Sequence, residues 1–174
     1  NTAALCVSGA PSKDTNELWN GSSWTEVNDL TTTRNYIGGA GTSTAAIAFG
    51  GYDGSNTIDN VETWNGTSWT EVADINTKRY TAAGSGISTL ALAFGGLDTA
   101  NLANTETWNG TSWAETADLS TAVFVHESGI IGTQSAAISF GGNDGAVTGQ
   151  TEEWSQGIAI GAWATSGSIN TARQ

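Results

Sequence analysis

The single histidine of the chain, His126, stands beside Glu127. An imidazole next to a carboxylate is the pairing from which a general base or a metal ligand set can be built. On an extended strand, however, adjacent side chains point to opposite faces, so the two do not readily meet on one reacting atom. There is no second histidine to complete a metal site, and Cys6 is the only cysteine, which excludes an internal disulfide and a cysteine-based zinc site. Cys6 falls in the apolar run Ala3-Ala4-Leu5-Cys6-Val7 and reads as a buried, inert thiol. A nucleophile, a base and a stabilising group do not occur together, so the expectation is a protein that is not an enzyme.

Three other patterns carry potential chemistry. Acidic loops recur at Tyr52-Asp53-Gly54, Leu97-Asp98-Thr99 and Asn143-Asp144-Gly145. Carboxylate and amide oxygens at alternate positions can hold Ca²⁺, but the bidentate glutamate of a calcium loop is missing, and Asp and Asn are ordinary turn formers. No cofactor is expected, with calcium the one ion kept open. Glycine-rich stretches such as Gly38-Gly39-Ala40-Gly41 would cradle a phosphate only ahead of a helix, and strands follow here. Acceptor sequons at Asn20, Asn65 and Asn109 all fall in Asn-Gly turns, where turn geometry alone accounts for them.

The elements that position these residues are written as repeats. All eight tryptophans fall in four hairpins, two per copy: Trp19-Asn20-Gly21, Trp64-Asn65-Gly66, Trp108-Asn109-Gly110 and a longer, degenerate copy from Trp154. Asn-Gly between alternating residues signals a hairpin, with a type I′ turn expected from φ > 0 at both positions. The first tryptophans, at 19, 64, 108 and 154, are 45, 44 and 46 residues apart. The diglycines Gly50-Gly51, Gly95-Gly96 and Gly141-Gly142 keep that step, with Ser8-Gly9 as the weakened first copy. Each closes a five-residue apolar run that reads as a buried strand. Ahead of these runs lie small-residue stretches, Arg34 to Gly41, Arg79 to Gly86 and Val123 to Gly129, which read as innermost strands where neighbouring units crowd.

Four short strands per unit of about 45 residues predict an all-β propeller built of blades, with almost no helix. The whole chain, 1–174, is one repeat domain with units at approximately 1–34, 35–79, 80–122 and 123–173. The order Arg34, Gly50-Gly51, Trp64, Trp69, repeated as Arg79, Gly95-Gly96, Trp108, Trp113, resembles kelch repeats and is similar to kelch-like arrays of marine phage and bacterial surface proteins. Tryptophan stands where kelch repeats usually have tyrosine. Some kelch-like propellers are copper oxidases that use histidines, a tyrosine and a Tyr–Cys crosslink, a set this chain cannot supply with one histidine.

Counting strands gives three, four, four and four, so the first unit lacks its inner strand. The chain closes on Asn170-Thr171-Ala172-Arg173, a further lead-in to such a strand. A neighbouring segment or another copy of the chain is expected to close the ring.

Five Lys and Arg against 17 Asp and Glu give a net charge of −12, which argues against nucleic acid and anionic membrane surfaces as partners. No apolar run is long enough for membrane insertion as a helix. The composition, rich in Gly, Thr, Ser and Asn, is associated with extracellular or virion-surface β proteins. The expected function is therefore a non-enzymatic binding module for a glycan or protein ligand on a virion tail fibre or cell surface. The alternative is a structural spacer, decoration or self-assembling fibre subunit. In a propeller, the loops entering inner strands and those leaving second strands share one face. They bring together Arg34, Tyr36, Arg79, Tyr80 and Arg173 with Asp53, Asp98 and Asp144 as candidate ligand-binding residues. Those arginines and aspartates could equally pair with one another as struts.

Overall fold

A computed structural model of the chain describes residues 3–9, 13–124, 131–156 and 161–167. His126, Glu127 and Arg173 lie outside them. Fifteen strands and no helix are found among the described residues. β1 (Ala4–Gly9), β2 (Lys13–Trp19) and β3 (Trp24–Val27) form a three-stranded sheet in that order. The second sheet holds β4 (Gly38–Thr42), β5 (Ala45–Phe49), β6 (Val61–Trp64) and β7 (Trp69–Val72). The third holds β8 (Ala83–Ile87), β9 (Leu90–Phe94), β10 (Thr105–Trp108) and β11 (Trp113–Glu115). The fourth holds β12 (Ile131–Thr133), β13 (Ala136–Phe140), β14 (Thr151–Gln156) and β15 (Gly161–Thr165). All pairings are antiparallel meanders, so each sheet is a blade of a propeller-like fold.

Small residues sit innermost because blades approach through their backbones there. A Cβ added at Gly84 of β8 would lie 2.4 Å from the carbonyl oxygen of Gly39 in β4. Among the described residues the inner strand of the last blade is Ile131–Thr133, and most of the expected stretch from Val123 to Gly129 lies outside them. Gly132, opposite Ala137, holds the place that Gly41 has opposite Ala46 and Gly86 opposite Ala91. The segment between Val123 and the apolar strand is longer in this unit, which hides the alignment.

Each joint between blades has its own core. Alternation in the second strands sets large side chains on one face and small ones on the other. Ile47 and Phe49 pack forward, against Ala91, Ala93, Trp108 and Trp113 of the third blade. Leu92 and Phe94 repeat this against Ala137 and Trp154. Leu5 and Val7 repeat it against Ala48, Trp64 and Trp69. The indoles fill the volume that the alanines leave, and each can bury about 150–250 Å². Trp113 meets the Phe49 ring edge-on at 5.4 Å, and Trp163 lies 4.8 Å from Phe94.

The Asn-Gly hairpins turn where the sequence places them, but not as two-residue type I′ turns. The last cross-strand pair is Trp64–Trp69, leaving a four-residue loop. Gly66 has φ 93°, whereas Asn65 is not left-handed. Instead the Asn65 side-chain oxygen accepts from the amides of Thr67 and Ser68, both at 2.9 Å. Asn20 and Asn109 do the same. The asparagine is selected as a side-chain cap of the loop.

Cys6 is exposed, not buried. Its counterparts Ala48 and Ala93 are covered by the preceding blade, and no described residues cover the first blade on that side.

Candidate functional site

The loops entering the inner strands and those leaving the second strands are tied into one surface by short antiparallel bridges. Asn35 exchanges two backbone hydrogen bonds of 2.9 Å with Tyr52, and Tyr80 does the same with Leu97. Phe124 and Asn143 repeat the bridge at 3.2 and 3.1 Å. Neighbouring blades are stitched here too: the Thr81 amide donates to the Tyr36 carbonyl at 2.7 Å.

All three tyrosines of the chain gather on this surface. Tyr80 lies at the middle, 6.1 Å from the ring of Tyr36 and 5.8 Å from that of Tyr52. Tyr36 is about half exposed (48%). Tyr36 and Thr81 hold the same position in successive units, and both have left-handed backbones, with φ 54° and 53°. That conformation is costly for bulky or β-branched residues. It follows from the repeat's turn, since both units show it, and it sets the Tyr36 ring at the rim.

The acidic loops flank the rings. Asp53 Oδ1 accepts from the amides of Ser55 and Asn56, both at 2.7 Å. Those backbone donors hold its carboxyl below the usual aspartate value. Asp98 is 3.6 Å from the ammonium of Lys78, which is about half exposed, while the carboxylate is more covered. Asp144 Oδ1 accepts from the Ala146 amide. Among the described residues no three His, Cys, Asp or Glu side chains converge as metal ligands would.

Arg34 and Arg79 do not join this surface. Both are fully buried, and each pairs with a glutamate of its own sheet: Arg34 with Glu62 at 2.8 Å and Arg79 with Glu106 at 2.7 Å. Arg79 also donates to the carbonyls of Thr77, Gly95 and Asn104. Burial pushes both guanidinium groups down from their ordinary value, against the opposing pull of the glutamates. The carboxylates collect the lead-in turn as well. Glu62 accepts from the amides of Thr31 and Thr32, and Glu106 from those of Asn76 and Thr77. In the last blade Glu152 accepts from Ser120 and Thr121, with Val123 in the arginine's place.

These arginines are therefore struts that anchor each inner strand, and their partners are glutamates rather than the loop aspartates. A signal for those partners stood in the sequence: a glutamate two residues before the first tryptophan of every hairpin, at 17, 62, 106 and 152. Tyr52 was the ring missing from the expected site. It lies beside Asp53, the residue of that loop expected at the site.

No family model matches the chain, and no curated protein does. Among solved structures it is similar to "Structure of YjhT", with a TM-score of 0.81 over 98% of this chain and 63% of that one. Sequence identity is 10%, a likeness that concerns the fold alone. The chain spans less than two thirds of that protein's length.

Proposed function

We propose that the chain is a non-enzymatic binding module of kelch-like type, and that its ligand is a glycan held on the Tyr36, Tyr52 and Tyr80 surface. The observation that carries this reading is the gathering of all three tyrosines at one joint of the propeller face. Phenol rings offer an apolar face for the C–H side of a pyranose and a hydroxyl at the edge. Asp53 and Asp98 stand on the loops beside them as acceptors for sugar hydroxyls. Display on a virion fibre or cell surface fits the acidic, glycine- and threonine-rich composition.

Glycan-array screening of the 174-residue protein, followed by titration of any hit against Tyr36→Ala and Tyr80→Ala, tests this reading. Tyr36→Ala is expected to lower affinity at least tenfold with an unchanged unfolding midpoint. A protein that binds no glycan, or one whose binding survives both substitutions, would end it.

A second reading, self-assembly, is favoured by the end faces of the array. Trp24 on the first blade and Ile138 on the last are exposed where their counterparts are buried in joints. Concentration-dependent mass in sedimentation, abolished by Trp24→Ala, would support it.

A further inference from the structure

The first blade differs from the others on the side nearest the axis. Among the described residues no strand pairs with β1 on its inner side, so one row of its backbone donors and acceptors has no partner strand there. Between β1 and β4 runs a cleft of about 350 Å³, lined by Ala4, Leu5, Val7, Gly39 and Ala40 and bounded by Trp69. One joint further on, the matching place is filled by β4 itself, packed against β8. Gly39 offers no Cβ on the side from which a strand would come.

Glu17 marks the same vacancy by charge. It stands opposite Cys6, as Glu62 stands opposite Ala48 and Glu106 opposite Ala93. Those two glutamates are buried under a lead-in turn and an arginine, whereas Glu17 is exposed. Glu152 is buried under lead-in amides alone.

We propose that β1, the cleft and Glu17 form an acceptor site for an extended polypeptide strand of stated chemistry. The strand is led by an arginine and continues, four residues on, in glycine, alanine and serine. The register of the complete blades fixes how it would lie. In β8, Ala83 pairs with Phe94 and Gly84 with Ala93, and Arg79 precedes Ala83 by four residues. The equivalent strand residues would face Val7 and Cys6, and the arginine would reach Glu17. The matching places in β4 and β8 carry glycine, alanine and serine up to the last residue of each strand. The ladder of backbone hydrogen bonds supplies affinity, and the arginine–carboxylate pair supplies selection, because a planar donor fork matches two oxygens.

A labelled peptide copying residues 74–87 provides the probe, titrated into the 174-residue protein by fluorescence anisotropy. Saturable one-to-one binding is expected, weakened about tenfold when the peptide carries Arg79→Gln. In Glu17→Gln protein the parent peptide should weaken by the same factor, and the two peptides should bind alike, since a double-mutant cycle isolates that pair. Absence of binding, or discrimination that survives Glu17→Gln, would each overturn the proposal. Glu17 is exposed, so its substitution leaves the fold intact, and circular dichroism verifies that.

Discussion

Trp24 and Trp113 occupy the same place in the repeat, the second tryptophan of an Asn-Gly hairpin, yet they live in opposite environments. Trp113 is 6% exposed, set against Phe49 of the preceding blade, while Trp24 is 48% exposed and touches the ring of its own hairpin partner Trp19 at 5.5 Å. Glu106 and Glu17 differ in the same way, as do Ala93 and Cys6. The members of each pair sit at the same place in the repeat, and their environments differ because, among the described residues, only one of them has a neighbouring unit on that side. In a stacked array, burial is conferred by the neighbouring unit, and stability becomes a sum of unit and joint terms. The open first blade is therefore an internal control for the closed joints.

The largest effects should come from removing what only the closed joints hold. Arg79→Gln leaves Glu106 buried without its counter-charge, and about 3–5 kcal/mol of stability should be lost in a denaturant titration, the usual result of breaking a buried pair. Arg34→Gln should cost less. Arg34 bonds through one nitrogen to Glu62, and its Nε and Nη2 have no hydrogen-bond partner among the described residues. Glu152, held by backbone amides opposite Val123, shows how much the lead-in turn can do alone. An equal loss for both arginines would mean that these extra bonds contribute nothing.

The tryptophan pair sharpens the comparison. Trp113→Ala should cost about 3–5 kcal/mol, the range for emptying a buried aromatic site. Trp24→Ala should stay within about 1 kcal/mol, as for an exposed substitution away from the core. Similar losses at the two sites would show that the first blade is covered in solution, by another copy or another segment.

How far the fold was legible follows from the same contrast. Strand order, blade count and the Gly-Gly and Trp-hairpin positions are repeated local patterns, and each repeat confirms the others. The partner of Arg34 was marked only as a glutamate recurring two residues before each hairpin's first tryptophan, and its pairing with an arginine 28 residues away is a contact between strands that the local pattern does not state. The exposure of Cys6 was illegible for a different reason. Its apolar surroundings are the same as in the buried copies, and only the neighbouring blade distinguishes them. The tyrosine surface was half visible: Tyr36 and Tyr80 sit in lead-ins, whereas Tyr52 comes from the opposite set of loops. Asn65 acts through its side chain rather than a left-handed backbone, a distinction that the Asn-Gly dipeptide does not encode.

A smaller effect tests the first blade's weakened diglycine. Ser8 has φ 66°, like Gly50 and Gly95 at 61°, and its hydroxyl bonds the Arg34 carbonyl. A Cβ at Gly50 would lie 2.2 Å from the Arg79 carbonyl oxygen, so the closed joint demands glycine. Gly50→Ala should destabilise by more than about 1 kcal/mol through strain and contact. Ser8→Gly should change stability by about 1 kcal/mol or less, because relief of the left-handed strain offsets the lost hydrogen bond and the gained chain entropy. Thermal melts of the two variants suffice, and a large loss for Ser8→Gly would show that its hydroxyl anchors the first joint.

The smallest effect concerns Asp53, beside the tyrosine surface and fully solvated. Its carboxyl is held below the ordinary value of 3.8 by the amides of Asn56 and Ser55, which bond the ionised form. A depressed folded-state value means that the stabilisation is present above the unfolded value and is lost as pH falls through the folded one. The loop's contribution should therefore persist at pH 5 and fade below the ordinary aspartate range. Asp53→Asn removes the charge while keeping an acceptor, so the variant should lag wild type slightly near neutrality and converge with it in acid. Two-dimensional NMR of the Ser55 and Asn56 amides reads the change directly. Their shifts should titrate together with a midpoint below 3.8 in wild type and stay flat in Asp53→Asn. A midpoint at or above the ordinary value would mean that the turn is formed without its carboxylate.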